Sequence, residues 1–190
     1  MYPDLPILPM GYVGDILPLG IDNFVNMMAD ADLDGMELPD YPSYGGYDPL
    51  EFHKKMRAAG LYNINFADGI SLAEEGTEEY DLLRRIVTDI DGFLFLTATP
   101  GVTGAQGGVA VEYLTKAVAR IRAVQDEANA RKPIMVGFGL STPDDVRVVV
   151  EEVKADAVVV GSAVSRLIHK NATASEISDF VRELKQATIL

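Results

Sequence analysis

The chain has 190 residues, of which 48% are hydrophobic, and its mean hydropathy of +0.10 is typical of one globular domain with a substantial core. Its net charge of −13, from 29 acidic and 16 basic residues, argues against nucleic acid and anionic membranes as partners, and the absence of cysteine excludes disulfides and thiolate metal sites. The opening "MYPDLPILPMGY" lacks the basic end and unbroken apolar core of a signal peptide, and no apolar run approaches the roughly 20 residues of a membrane span, so we expect a cytoplasmic protein.

Short apolar stretches recur along the chain and predict β-strands. In chain order they are "ILPMGY" (7–12), "DGMEL" (34–38), "YNINFA" (62–67), "GFLFLTA" (92–98), "PIMVGF" (133–138) and "DAVVVG" (156–161). Most of them do not alternate between apolar and polar residues, which is typical of strands buried on both faces of a parallel sheet.

Helical patterns lie between these strands. Residues 109–128 place apolar side chains at intervals of four and three, which predicts one apolar stripe. Residues 142–153 begin with a capping threonine or serine, a proline in the first turn and two aspartates near the positive end of the helix dipole. Residues 174–189 also carry apolar side chains on one side.

The alternation of strands and helices predicts a parallel α/β fold of the (βα) TIM-barrel type. A closed barrel has eight strand–helix units in about 250 residues. Six units can be counted here, so we expect residues 1–190 to form a single, truncated barrel domain.

Two glycine-containing loops follow the last two predicted strands. The first is "GFGLST", with Phe138 and Gly139, and the second is "GSA", with Gly161 and Ser162. In parallel barrels such loops often bind phosphate, because glycine exposes backbone N–H groups and the helix dipole favours the negative charge. Alternatively, each glycine only permits a tight turn. The two loops together favour a phosphate site.

A third loop, "TATPGVTGAQGG" (97–108), follows the fourth predicted strand. Its four glycines suggest a mobile loop that closes over a ligand, and this loop contains Thr99, Gly101, Thr103 and Gly104; a plain flexible connection is the alternative. "GFLFLTATPGVTGAQ", "PIMVGFGLSTPDDV" and "ADAVVVGSAVSRLI", in this order and spacing, resemble the tryptophan synthase alpha subunit family, and a weaker similarity extends back to about residue 6.

This resemblance implies a (βα)8-barrel enzyme that cleaves indole-3-glycerol phosphate to indole and glyceraldehyde 3-phosphate by a retro-aldol reaction. It implies no cofactor in this chain, and a partner beta subunit that carries pyridoxal phosphate. The residues that it assigns to the phosphate site are Gly104, Gly139, Gly161 and Ser162. Phe138 would lie nearby, and Phe95 would stand where the family usually has a tyrosine that lines the indole pocket.

The family's two catalytic carboxylates lie on its first two strands, and the resemblance begins at what would be the third strand. Asp40 in "ELPDYP" and Asp68 in "NFADG" are therefore candidates to replace them, although aspartate near turns more often caps or turns the chain. Glu37 lies within a strand and could face either way. His53 and His169 are expected at the surface, and no metal-binding set is expected.

Three functions stay open at this point. The first is a lyase of the alpha-subunit type, and the second is a non-catalytic relative that binds a phosphorylated small molecule or regulates a partner. The third is a different lyase or isomerase reaction at the same phosphate site. An open barrel exposes two sheet edges, so we also expect self-association.

Overall fold

A computed structural model describes residues 5–40, 49–98 and 109–189. Within them, one sheet contains five strands: β1 (Gly35–Leu38), β2 (Tyr62–Phe66), β3 (Leu94–Thr97), β4 (Ile134–Gly137) and β5 (Ala157–Val158). The strands are all parallel and are ordered β1-β2-β3-β4-β5, so each strand pairs with the next one along the chain. The predicted parallel α/β fold is confirmed.

Helices connect the strands. In chain order they are α1 (Val13–Ile16), which continues as a 3₁₀ turn (Leu17–Leu19), α2 (Ile21–Asp30), α3 (Pro49–Ala58), α4 (Glu78–Asp89), α5 (Val111–Glu127), α6 (Pro143–Val148), which continues as a π turn (Val149–Val153), α7 (Ser162–His169) and α8 (Ala174–Gln186). The three helices predicted from apolar spacing and capping correspond to α5, α6 with its π turn, and α8. Threonine side chains cap α4, α6 and α8, which explains where these helices begin.

The predicted strand at residues 7–12 is replaced by an extended segment with one isolated bridge, between Met10 and Glu37. The segment runs parallel to β1: the Glu37 N–H donates to the Pro9 carbonyl (3.0 Å) and the Gly11 N–H donates to the Glu37 carbonyl (3.1 Å). Pro9 interrupts the segment, and since proline has no N–H, a continuous ladder cannot form there. The expectation of six strands was therefore wrong by one.

The two faces of the sheet have different neighbours. Residues on one face pack against the helices in the main hydrophobic core, among them Leu38, Leu94, Leu96, Ile134 and Val136. The strand register places the alternate residues on the opposite face, namely Glu37, Ile64, Phe66, Phe95 and Gly137. This inner face is the one that a complete barrel would enclose.

Candidate functional site

A cavity of about 340 Å³ opens on the inner face, at the carboxyl ends of the strands. Its lining residues come from four strands or the loops after them and from the amino-terminal segment: Met10, Glu37, Phe95, Phe138, Gly139, Leu140, Val159, Gly161 and Ser162. The cavity thus brings together five of the predicted site residues, Phe95, Phe138, Gly139, Gly161 and Ser162. Parallel barrels hold their ligands at this end.

The sheet curls around this cavity. Glu37 lies on β1 and Gly161 follows β5, at opposite edges of the sheet. In a flat sheet these edges would be roughly 19 Å apart, since neighbouring strands are about 4.8 Å apart. Because residues at both edges line one cavity, the five strands form part of a barrel wall.

The turn after β4 is shaped by two residues with left-handed backbone. Phe138 has φ 57° and Gly139 has φ 97°. A left-handed conformation costs a non-glycine residue on the order of 1 kcal/mol, and such strain is common at ligand sites. The Phe138 ring packs against Phe95 and Phe66, with ring centroids 5.4 and 6.0 Å apart, so the turn carries an aromatic wall into the cavity.

Gly137, which has no side chain, leaves the space that the Phe95 ring of this aromatic wall occupies. A Cβ at this position would lie 2.5 Å from the Phe95 ring and 3.1 Å from the Cβ of Val159. Phe95 also stacks on Phe66, with centroids 4.5 Å apart. Glycine at position 137 is therefore required by the close approach of the Phe95 ring.

Gly161 and Ser162 form the amino-terminal end of α7. This helix has no side-chain cap, in contrast to α4, α6 and α8, so its first N–H groups are available to a ligand. Gly161 has φ −106°, which any residue adopts, and a Cβ there would meet no atom within 4 Å. Neither backbone conformation nor packing requires a glycine at this position, but the space that its missing side chain leaves belongs to the cavity rim.

Glu37 also lines the cavity. The sequence alone did not predict which face of the sheet its side chain occupies. Its position in the register, opposite Ile64, places it on the inner face. Burial raises the pKa of Glu37 above its ordinary value of 4.5. The alternation of side chains along a strand could have indicated this placement, but only once the face of one neighbouring residue was known.

Neither aspartate candidate, Asp40 or Asp68, is among the described residues that line the cavity. Both carboxylates accept backbone hydrogen bonds. Asp40 accepts from the Val13 N–H at 3.0 Å, at the start of α1. Asp68 accepts from the Thr97 N–H at 3.0 Å and from its hydroxyl at 2.8 Å. Burial raises the pKa of Asp68, although the hydrogen bonds from Thr97 act in the opposite direction. Both contacts are those of aspartates that hold a loop in place.

The remaining predicted residues, Thr99, Gly101, Thr103 and Gly104, lie outside the described residues. Across the described ranges, no group of three or more histidine or acidic side chains is arranged to hold a metal ion. Nor does any helix in those ranges have the length and apolar character needed to cross a membrane.

His53 was predicted at the surface, and this was wrong: only 2% of the residue is exposed. Its Nδ1 lies 2.9 Å from the Asn63 amide nitrogen, and its Nε2 lies 3.0 Å from an Arg57 nitrogen and 3.5 Å from an Asp91 oxygen. Burial is the main cause that lowers the pKa of His53. His53 thus joins α3 to β2 and to the end of α4, away from the cavity. His169 is exposed, as expected.

A curled parallel sheet with its cavity at the carboxyl ends of the strands defines a protein of the parallel α/β-barrel class. The chain belongs to the tryptophan synthase alpha chain family, because the family model of that description matches residues 1–188.

Curated relatives agree with this assignment. The chain is 35% identical to the tryptophan synthase alpha chain of Gloeobacter violaceus over 186 residues, which cover 96% of this chain and 61% of that protein. It is 31% identical to that of Dehalococcoides mccartyi over 183 residues, which cover 96% and 65%. The chain therefore spans somewhat less than two thirds of the length of these relatives.

Solved structures show the same fold. A protein of Aquifex aeolicus VF5 matches with a TM-score of 0.74 at 24% identity, over 98% of this chain and 63% of that one. Tryptophan synthase of Mycobacterium tuberculosis matches with a TM-score of 0.70 at 23% identity, over 97% and 63%. These matches confirm a partial TIM barrel.

Proposed function

We propose that this chain binds indole-3-glycerol phosphate in the cavity and cleaves it to indole and glyceraldehyde 3-phosphate, the reaction that its family resemblance implies. One observation carries the proposal: a single cavity is lined by Gly139, Gly161 and Ser162 together with the aromatic side chains Phe95 and Phe138. The first group suits a phosphate and the second suits a planar ring, and the substrate contains both.

The phosphate would lie at the amino-terminal end of α7. Backbone N–H groups of the uncapped first turn and the Ser162 hydroxyl are donors, and the helix dipole favours an anion there. The described residues that line the cavity include no lysine or arginine. Recognition of the phosphate by these residues therefore depends on backbone dipoles and the hydroxyl.

The indole ring would pack against Phe95 and Phe138. Aromatic rings prefer offset or edge-to-face contacts with centroids about 4.5–7 Å apart, and the cluster of Phe66, Phe95 and Phe138 already has this geometry. The cavity of about 340 Å³ lies at the lower end of the range of small-molecule sites, about 300–1,000 Å³.

A second candidate is a non-catalytic protein that binds a phosphate ester. It is favoured by the backbone hydrogen bonds that engage both Asp40 and Asp68, since such carboxylates serve structure. A different lyase or isomerase reaction at the same site, with Asp40 or Asp68 as the catalytic acid, stays a prediction. Asp40→Asn and Asp68→Asn variants test it through their activity.

Two kinds of protein partner are also proposed. One is a tryptophan synthase beta subunit, since solved neighbours include a tryptophan synthase complex from Pyrococcus furiosus. The other is a second copy of this chain, because apolar residues at both edges of the inner face are exposed, Met10 by 47% and Val159 by 37%. Tyr62, at the start of β2, is also exposed, by 54%. Sedimentation of the chain alone tests self-association, and a single monomeric species would contradict it.

Calorimetric titration of the full chain with glycerol 3-phosphate, with glycerol as the control ligand, tests the phosphate site. We expect binding that requires the phosphate. Ser162→Ala should lower the affinity about tenfold or more, because a hydrogen bond to a charged group contributes about 1.5–3 kcal/mol. Ser165→Ala, on an exposed position one turn along α7, is the matched control and should bind normally.

Two further results decide between the candidates. Indole release from indole-3-glycerol phosphate by the chain would support the lyase, and phosphate-dependent binding without indole release would support the non-catalytic candidate. Absence of binding to the unaltered chain would overturn the proposed phosphate site.

A further inference from the structure

Glu37 is the one ionisable side chain among the described residues that line the cavity. The other lining residues are apolar or glycine, apart from the hydroxyl of Ser162. Within the described chain, no hydrogen bond or ion pair engages the Glu37 carboxylate, in contrast to Asp40 and Asp68. A carboxylate in this setting is available to a ligand.

The backbone holds Glu37 in place from both sides. On one side, β1 pairs with β2 over four residues, with Glu37 opposite Ile64. On the other, the Glu37 N–H and carbonyl bond to Pro9 and Gly11 of the amino-terminal segment. The side chain therefore cannot change faces without a shift of the whole strand register.

The position is costly for folding. A partly buried carboxylate without a partner loses hydration and gains no compensating contact. This loss is the cause of its raised pKa. A side chain kept in such a place contributes little to stability, which is typical of groups that serve a ligand.

We propose that Glu37 is the acid–base residue of this cavity and transfers the proton during cleavage of the phosphate ester. This inference rests on the function proposed above. The Glu37 carboxylate takes the proton of the substrate hydroxyl next to the scissile bond, and the C–O bond becomes a carbonyl. The C–C bond breaks in the tautomer of the substrate whose ring carbon at that bond is already protonated. Its electron pair restores the aromatic ring, and the ring nitrogen receives the proton from Glu37. The carboxylate is regenerated, so no co-reactant is needed.

The environment suits both halves of this transfer. A general acid–base group works best when its pKa is close to the working pH, because it must both accept and return a proton. The burial that raises the pKa of Glu37 acts in this direction. No other ionisable group among the described cavity residues competes for the proton.

The experiment compares the full chain with Glu37→Gln, Glu37→Asp and the matched control Glu151→Gln, which changes an exposed glutamate away from the cavity. Indole release from indole-3-glycerol phosphate gives kcat, titration with glycerol 3-phosphate gives the affinity, and thermal unfolding confirms that each variant is folded. We expect Glu37→Gln to lower kcat about 10²–10⁴-fold, the usual contribution of general acid–base catalysis, with an affinity within threefold of the unaltered chain. Glu37→Asp should recover part of the rate, and Glu151→Gln should retain all of it.

Each other result overturns a particular claim. If Glu37→Gln retains the full rate, the role of Glu37 is overturned and the proposed lyase stands. If the unaltered chain binds glycerol 3-phosphate but releases no indole, catalysis by Glu37 and the lyase fall together and the phosphate site stands. If the unaltered chain does not bind, the proposed function itself fails.

Discussion

The close approach of Phe95 to Gly137 makes a measurable prediction about stability. In the Gly137→Ala variant the new Cβ would lie 2.5 and 2.9 Å from two ring carbons of Phe95 and 3.1 Å from the Cβ of Val159. Ordinary contacts between carbon atoms are about 3.5–4.0 Å. The Phe95 ring would therefore have to move by about 1 Å, against the stacked ring of Phe66.

The expected magnitude follows from two opposing effects. Overpacking of a close-packed site costs about 1–3 kcal/mol. Replacing glycine by alanine reduces the entropy of the unfolded chain and returns about 0.4–1 kcal/mol. The net loss in the free energy of unfolding should be about 1–2 kcal/mol. For a chain of this size, that lowers Tm by roughly 2–8 °C.

Urea and thermal unfolding, followed by circular dichroism, measure this loss. Gly161→Ala is the matched control: its Cβ meets no atom within 4 Å, so its free energy of unfolding should stay within about 0.5 kcal/mol of the unaltered chain. A double-mutant cycle with Phe95→Leu isolates the contact, because the shorter side chain should reduce the cost of the added methyl group. If Gly137→Ala unfolds like the Gly161→Ala control, or if Phe95→Leu leaves its cost unchanged, the close approach is refuted.

The remaining predictions concern a buried histidine and a helix cap. Burial lowers the pKa of His53 below 6.5, so the unfolded chain binds the proton more readily, and the free energy of unfolding should fall as the pH drops from 7 to 5. His53→Gln should flatten this dependence in denaturant titrations, and an unchanged slope would contradict the assignment. Thr173 and Glu176 form a capping box at the start of α8. Thr173→Ala should therefore cost about 1 kcal/mol in urea unfolding, whereas an exposed control, Ser178→Ala, should leave stability nearly unchanged.

Local patterns predicted the elements whose formation depends on neighbouring residues. The apolar runs at 34–38, 62–67, 92–98 and 133–138 became strands because they suit a sheet buried on both faces. The capping residue before α6 predicted where that helix begins. The amino-terminal run at 7–12 did not form a regular strand, because Pro9 lacks the N–H group that a continuous ladder needs.

Local patterns also predicted part of the candidate site. Gly139, Gly161 and Ser162 belong to short motifs at strand ends, and parallel strands bring such ends to one edge of a sheet. Glu37 carried no such motif, since one glutamate within an apolar strand faces inward or outward according to the register of its neighbours. His53 likewise looked like a surface residue in a polar helix until Asn63 and Asp91 were brought against it.

The sequence by itself determined the parallel α/β class, most strand and helix positions and the two glycine turns, because these depend on contacts between residues close along the chain. Only the tertiary structure decided that the sheet curls, so that Glu37 at one edge and Gly161 at the other line the same cavity. It also decided that the Asp40 and Asp68 carboxylates bond to the backbone. These outcomes depend on contacts between residues far apart in sequence, and local spacing carries no information about which distant partner a side chain meets.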